Sequence, residues 1–484
     1  MSAEGDRPNI LWFCTDQQRF DTLGAYGNEF VDTPNLDRLA QSGVLFENCY
    51  SQSPVCTPSR ASFLTGRYPR TTRCRQNGQA IPKDELLVTK TLADQGYVTG
   101  LAGKLHLAPN NPSYCKGGEE RIEDGYFDFH WSHDSDDQWP TNEYHQWLRE
   151  KGLDYGTEPT PQFEGVQFGM PEEGHQTTWC AQKAITFIES NASYDYPWLF
   201  SLNSFDPHHP FDPPRSYLEK YLDRLGEIPT PNYEEGELRD KPSFQRIDHR
   251  GAYGGSAGFD YEGMSVDDHR LTRAAYWSMV ELIDRQFGRI MDVLERTGQL
   301  EDTLVIFTSD HGEMLGDHGL YLKGPYFYEP AVHVPLIVSW PERVEGERRS
   351  GALVELTDLA PTILEGLGLP LAEGIQGQSL WPLLAGESPL DEHRDSVYGE
   401  YYNAMPWHED PAAQATMVYD GRYKLVQMHG LEEGELYDLG EDPGENRNLW
   451  EEKEYAEVKM ECLSLLSDRM AWTVDPLPPR KAAW

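Results

Sequence analysis

The spacing Cys56-Thr57-Pro58-Ser59-Arg60 is where chemistry could start. Pro58 suits the first helical position, where the N–H it lacks has no partner anyway. Cys56 then lies at a helix N-terminus, where free N–H groups and the helix dipole favour negative charge. Arg60, one turn on, can point back at the same spot. An anion there would meet amides, a guanidinium and a sulfur-bearing side chain. The plainest reading of a free cysteine is a small buried residue. A second is a thiolate nucleophile activated by the helix end. A phosphatase of the Cys-x5-Arg type is excluded, because the sixth residue after the cysteine is Ser62. A third is a cysteine that is chemically converted.

Other reactive residues stand just past short apolar runs that predict buried strands. Asn9–Cys14 leads into Thr15-Asp16-Gln17, and Tyr97–Gly103 into Lys104-Leu105-His106. Trp198–Leu202 precedes Phe205-Asp206-Pro207-His208-His209-Pro210, and Thr303–Ser309 ends in Asp310-His311-Gly312-Glu313. Alternate residues of an extended segment share a face, so Lys104 and His106 can point the same way. Each residue has a plainer explanation. Asp16 could cap a helix, Lys104 or His106 could be a surface group, and a His beside prolines could stiffen a loop. Asn77 is a candidate pocket residue, but an Asn77-Gly78 turn accounts for it as well. What unites them is position: open α/β sheets bind ligands at the carboxyl ends of their strands, and one site needs all these groups there.

The run C-T-P-S-R-A-S-F-L-T-G-R, residues 56–67, resembles the sulfatase signature C-x-P-S-R followed by L-x-T-G-R at every fixed position. T-P-N-L-D-R-L-A-x-x-G-V-x-F near the N-terminus, Gly-Lys-x-His at 103–106, His-x-Pro at 208–210 and T-S-D-H-G-E-M-L-G-D-H-G continuing to Lys323 resemble further segments of that family. The resemblance covers nearly the whole chain. It implies an alkaline phosphatase-like α/β fold, with a large, mainly parallel mixed sheet flanked by helices and a smaller C-terminal α+β subdomain. It also implies that Cys56 is oxidised to formylglycine by a maturation enzyme and that a divalent cation is bound by Asp16, Gln17, Asp310, His311 and residue 56. Ca²⁺ is the ion expected, with Mn²⁺ or Mg²⁺ as alternatives. Gln17 departs from the family's common Asp-Asp pair and matches the Asp-Gln of some sulfatases and of the related phosphonate monoester hydrolases. A glutamine can still offer a neutral oxygen to a hard cation. Arg60, Lys104, His106, His208 and Lys323 carry over as the catalytic group, with His208 aligned to the proposed general acid. Asn77 and His209 are the substrate-binding candidates. The implied reaction is hydrolysis of a sulfate ester, with a sulfated carbohydrate as substrate. A phosphonate monoester or phosphodiester hydrolase and a silent anion-binding protein are the alternatives.

Composition limits the partners. The 484 residues suffice for one large α/β domain, 1–390, and a smaller unit, 391–484. The formal net charge of −40 argues against a nucleic-acid partner, whose backbone would be repelled. An acidic, well-solvated surface explains the charge, and adaptation to a high-salt cytoplasm is the sharper reading. An anionic substrate must then be drawn by a local basic pocket. Seven scattered cysteines form neither a disulfide framework nor a zinc pattern. No run is long enough to cross a membrane, and the N-terminus has no signal pattern, so a cytoplasmic protein is expected. Residues 110–175 are expected to be irregular loops over the rim of the site, and 226–265 a long insertion. Asp267–Thr297 has the spacing of a core-facing helix. Oligomeric state leaves no mark in the sequence.

Overall fold

A computed structural model describes residues 7–111, 113–115, 117–135, 139, 141–408 and 412–482. The first six residues of the expected signal-free N-terminus, and a few positions of the expected rim loops, lie outside these.

Eight strands form the main sheet. They are β1 (Asn9–Thr15), β2 (Val44–Tyr50), β3 (Val98–Gly103), β4 (Asp128–Trp131), β5 (Trp198–Asn203), β6 (Thr303–Ser309), β7 (His333–Ser339) and β8 (Arg348–Glu355). Their order is β8-β2-β7-β6-β1-β5-β3-β4, and only β7 runs antiparallel to its neighbours. The central strands are apolar on both faces, as expected where helices cover a parallel sheet on each side. Leu11 and Phe13 of β1 pack into one core, whereas Ile10, Trp12 and Cys14 pack into the other. Each such fully buried aliphatic or aromatic side chain contributes about 1.5–3 kcal/mol.

Helices α1 (Pro34–Ser42), α2 (Cys56–Thr65), α3 (Gln176–Asn191), α4 (Val266–Arg296) and α5 (Leu359–Gly366) flank the sheet. The 31-residue α4 begins with a capping box between Ser265 and Asp268 and lays its apolar side, including Leu271, Tyr276, Ile283 and Phe287, into the first core. The C-terminal unit is an antiparallel sheet of β9 (Val397–Tyr402), β10 (Gln414–Tyr419), β11 (Tyr423–Met428) and β12 (Gly434–Asp438). Helix α6 (Ala456–Trp472) sets Cys462 and Leu466 against it. All seven cysteines are free.

Register builds the site. Cys14 pairs with Asn203, Thr15 with Ser309 and Gly103 with Asn203. Strands β3, β5, β1 and β6 therefore end level, and Lys104, Asp16 and Asp310 emerge side by side on one edge.

Two expectations are corrected, and one strand escapes the sequence reading. Helix α2 starts at Cys56 itself, with Val55 as N-cap, so Pro58 is the third helical residue and not the first. The 110–175 stretch is not all loop, for it contains edge strand β4 and a helix at Glu143–Glu150. Four residues, Asp-Phe-His-Trp, are too few to show a periodicity, and only pairing with β3 makes them a strand. Edge strand β8, beginning Arg-Arg-Ser-Gly, lacks an apolar run at its start and passed unpredicted.

Candidate active site

Every residue of α2 is buried, and Cys56 is 1% exposed. The helix is fixed at its start from two sides. Thr57 N–H donates to Asn77 Oδ1 at 3.0 Å. Ser59 Oγ donates to the carbonyl of Asp310 and receives a bond from Ser51 Oγ at 3.0 Å. The Asn77 bond uses one of the amides that an anion at the helix start was expected to meet. Asn77 thus lies one step behind Cys56, in a turn with Gly78 at φ +84°.

Arg60, also 1% exposed, joins two carboxylates. Its Nε donates to Asp310 Oδ2 at 2.8 Å, and its Nη2 to Asp16 Oδ2 at 3.3 Å. Asp310 Oδ1 accepts from the amides of Gln17 at 3.0 Å and His311 at 2.9 Å. Asp16 Oδ2 also pairs with Lys104 Nζ. His311 Nδ1 donates to the Gly312 carbonyl at 2.9 Å. That bond sets the tautomer and leaves the Nε2 lone pair facing Cys56 Sγ at 3.1 Å. Ligand atoms of Asp16, Cys56, Asp310 and His311 all lie within 4.8 Å of one another, and all four residues are buried. Two carboxylates and a free imidazole nitrogen suit a hard to borderline divalent ion.

Cations surround the sulfur. Lys323 Nζ lies 3.1 Å from Cys56 Sγ, 2.7 Å from Gln17 Oε1 and 2.9 Å from His208 Nε2. Lys104 Nζ lies 3.6 Å from Sγ. Burial alone would raise the Cys56 thiol. Lys104 and then Lys323 overcome it and hold the thiol well below its ordinary value. Two lysines thus converge on the sulfur in a chain whose net charge is −40.

Gln17 adopts φ +66° and gives its Nε2 to Glu313. His106, at φ +57°, is buried with Nδ1 unpartnered among the described residues. Burial, helped by Lys104, lowers its pKa to about 4. His208 is likewise lowered to about 4, by burial and then by Lys323. Its Nδ1 faces the His209 carbonyl, so the lone pair of Nε2 receives the Lys323 proton. His208 and His209 stack at 4.1 Å and are half-exposed, so they form the open side of the site.

Sequence reasoning brought Asp16, Gln17, Cys56, Arg60, Lys104, His106, His208, Asp310, His311 and Lys323 to one place, with Asn77 behind it and His209 at its edge. It missed three neighbours. His133 meets His106 edge-on at 4.4 Å, but lies in the irregular stretch where no pattern marks it. Glu313 is fully buried and receives Gln17, Leu315 and Leu322; its place in Asp310-His311-Gly312-Glu313 was the available signal. Glu119 accepts the amides of His106, Leu107 and Ala108 and so holds the turn that aims His106. Asp317 and His318, which imitate ligands in sequence, instead pair with Arg19 and Arg273 and with Glu237.

Comparison with known proteins places this geometry. Residues 8–369 match the sulfatase family model, and residues 316–471 match the model described as N-sulphoglucosamine sulphohydrolase, C-terminal. The chain is 28% identical to an arylsulfatase of Clostridium perfringens, over 93% of this chain and 92% of that protein. It is 27% identical to an N-acetylglucosamine-6-O-sulfatase of Bacteroides thetaiotaomicron, over 99% and 89%. Among solved structures, a phosphonate monoester hydrolase of Agrobacterium radiobacter superposes with a TM-score of 0.83 at 28% identity, covering 98% of this chain and 97% of that one.

Proposed function

The chain belongs to the sulfatase family, and from that premise we propose that it hydrolyses a sulfate ester of a carbohydrate, using formylglycine made from Cys56 by a maturation enzyme and one bound divalent cation. The observation that carries this reading is the meeting of Cys56 with the Asp16, Asp310 and His311 donors on one side and two lysines on the other.

Asp16, Asp310, His311 and residue 56 would hold the cation, joined by Gln17, whose Oε1 has a second lone pair beyond the one Lys323 uses. Ca²⁺ is the ion this oxygen-rich set favours, with Mn²⁺ or Mg²⁺ next. When present, the cation supplies Lewis acidity and the hydrated formylglycine supplies two hydroxyls, one to attack sulfur and one to release sulfate.

The protein's own groups do the rest. Cys56 Sγ marks where those oxygens would sit. Lys104 and Lys323 flank it and are placed to receive charge developing on the sulfuryl oxygens. Arg60 bridges both carboxylates and holds them aimed at the site. His208 and Lys323 act as one acid for the leaving oxygen, with the proton held on Lys323 Nζ in the resting arrangement. His106, neutral by virtue of its lowered pKa, can accept the proton of the second hydroxyl.

A second reading, a phosphonate monoester hydrolase, is favoured by Gln17 beside Asp16 and by the 0.83 superposition. The test has two parts. Tryptic peptide 39–60 holds both Cys49 and Cys56, so fragment masses must place the thiol-to-aldehyde loss at residue 56. Converted, metal-loaded protein is then assayed on an aryl sulfate and an aryl phosphonate ester. Faster sulfate release supports the first reading, faster phosphonate cleavage the second, and turnover of neither refutes both.

A further inference from the structure

We propose that Tyr253 and Trp407 form the wall of a leaving-group subsite that selects ring-bearing alcohols, an inference that rests on the sulfatase reading above. Their rings stack at 4.3 Å, inclined by only 5°. They stand 154 residues apart in the chain. Tyr253 belongs to the 226–265 insertion, and Trp407 follows β9 of the C-terminal unit. Tyr253 also meets His209 at 5.7 Å. The pair therefore stands at the open side of the site, beside the half-exposed His208 and His209.

The arrangement is held in place at a cost. Tyr253 adopts φ +57° and Gly254 φ +63°. A left-handed backbone is unfavourable for a bulky residue and persists where the surroundings enforce it, commonly at ligand clamps. At Gly254 a Cβ would lie 3.0 Å from the Trp407 carbonyl, so glycine permits the close approach. One buried carboxylate fixes both halves: Asp248 Oδ1 accepts from Gly254 N–H at 2.8 Å and from His408 Nε2 at 3.0 Å. Tyr253 is buried, whereas Trp407 remains 37% exposed.

A leaving alcohol must depart from the sulfur position past His208 and His209, and on that path it meets the exposed indole of Trp407, backed by Tyr253. That surface matches a ring with one apolar face and polar edges, in either of two forms, a pyranose or an aryl group. An acyclic alkyl alcohol has no face to stack.

The experiment uses the full, metal-loaded and mass-verified converted enzyme. Wild type, Tyr253→Ala and Trp407→Ala are assayed on 4-nitrophenyl sulfate, N-acetylglucosamine 6-sulfate and ethyl sulfate. Trp407, at the surface, serves as the variant that keeps the test valid if Tyr253→Ala does not fold. The expected result is a fall of about 10-fold in kcat/KM on ring substrates, mainly through KM, with ethyl sulfate changed less than about 3-fold. A loss confined to the aryl or to the sugar ester identifies the ring form. Equal losses on all three esters, or no loss on any, overturns the subsite while leaving the sulfatase reading intact. A wild-type enzyme that releases sulfate from none of them refutes that reading and the subsite with it.

Discussion

Replacing Lys323 by methionine tests the proposed chemistry most directly. Methionine keeps the length of the side chain and removes its charge. Lys323 Nζ lies 3.1 Å from Cys56 Sγ and donates to Gln17 Oε1 and His208 Nε2. Two unit charges at that separation attract by about 5 kcal/mol at an effective dielectric of about 20. Removal of one preorganised donor from a developing anion typically costs about 10²–10³ in kcat, or about 2.7–4 kcal/mol. The smaller range applies, because Lys104 Nζ remains 3.6 Å from the same atom and continues to stabilise the charge. The expected outcome for Lys323→Met is therefore a fall of about 10²–10³ in kcat with KM changed little. The assay is sulfate release from an aryl sulfate, with conversion at position 56 and metal content matched to wild type. A kcat within 10-fold of wild type under those conditions would refute the role given to Lys323, both as charge partner and as proton holder.

Three further outcomes follow from the geometry. Arg60→Ala leaves Asp16 and Asp310 buried with reduced compensation, so urea denaturation should show a loss of about 3–5 kcal/mol; saturating Ca²⁺ should restore more stability to this variant than it adds to wild type, and an equal increment in both would argue against a cation bound by these carboxylates. Asn77→Ala removes the acceptor of the Thr57 amide at the start of α2, and should cost about 1 kcal/mol together with a lower kcat; unchanged stability would show that the bond is not made in solution. His130 on β4 is flanked by Glu143 at 2.7 Å and Asp128 at 3.2 Å, which overcome burial and raise its pKa to about 9. A raised histidine pKa stabilises fully below about pH 6.5, and the benefit is lost as pH rises through about 9. His130→Gln should therefore lose about 1 kcal/mol at pH 6, after allowance for solvent screening, and almost nothing at pH 10, as followed by thermal unfolding across that range.

The sequence by itself determined the strands and the chemistry at their ends. Runs such as Ile10-Leu11-Trp12-Phe13 and Val305-Ile306-Phe307 are apolar on both faces, which only a covered parallel sheet accommodates. Asp16, Lys104 and Asp310 directly follow such runs, and the local code of Cys56 to Arg67 named the helix that carries the sulfur. Tertiary structure decided what local patterns do not encode. The level register of β3, β5, β1 and β6 turned separate strand ends into one pocket. Asn77, expected either to line a pocket or to make a turn, sits in a turn and spends its side chain on the amide of Thr57. His133, Glu119 and the Tyr253–Trp407 stack were illegible because they come from stretches without periodicity. Their places are set by long-range hydrogen bonds and ring contacts, which exist only once distant parts of the chain have been folded together.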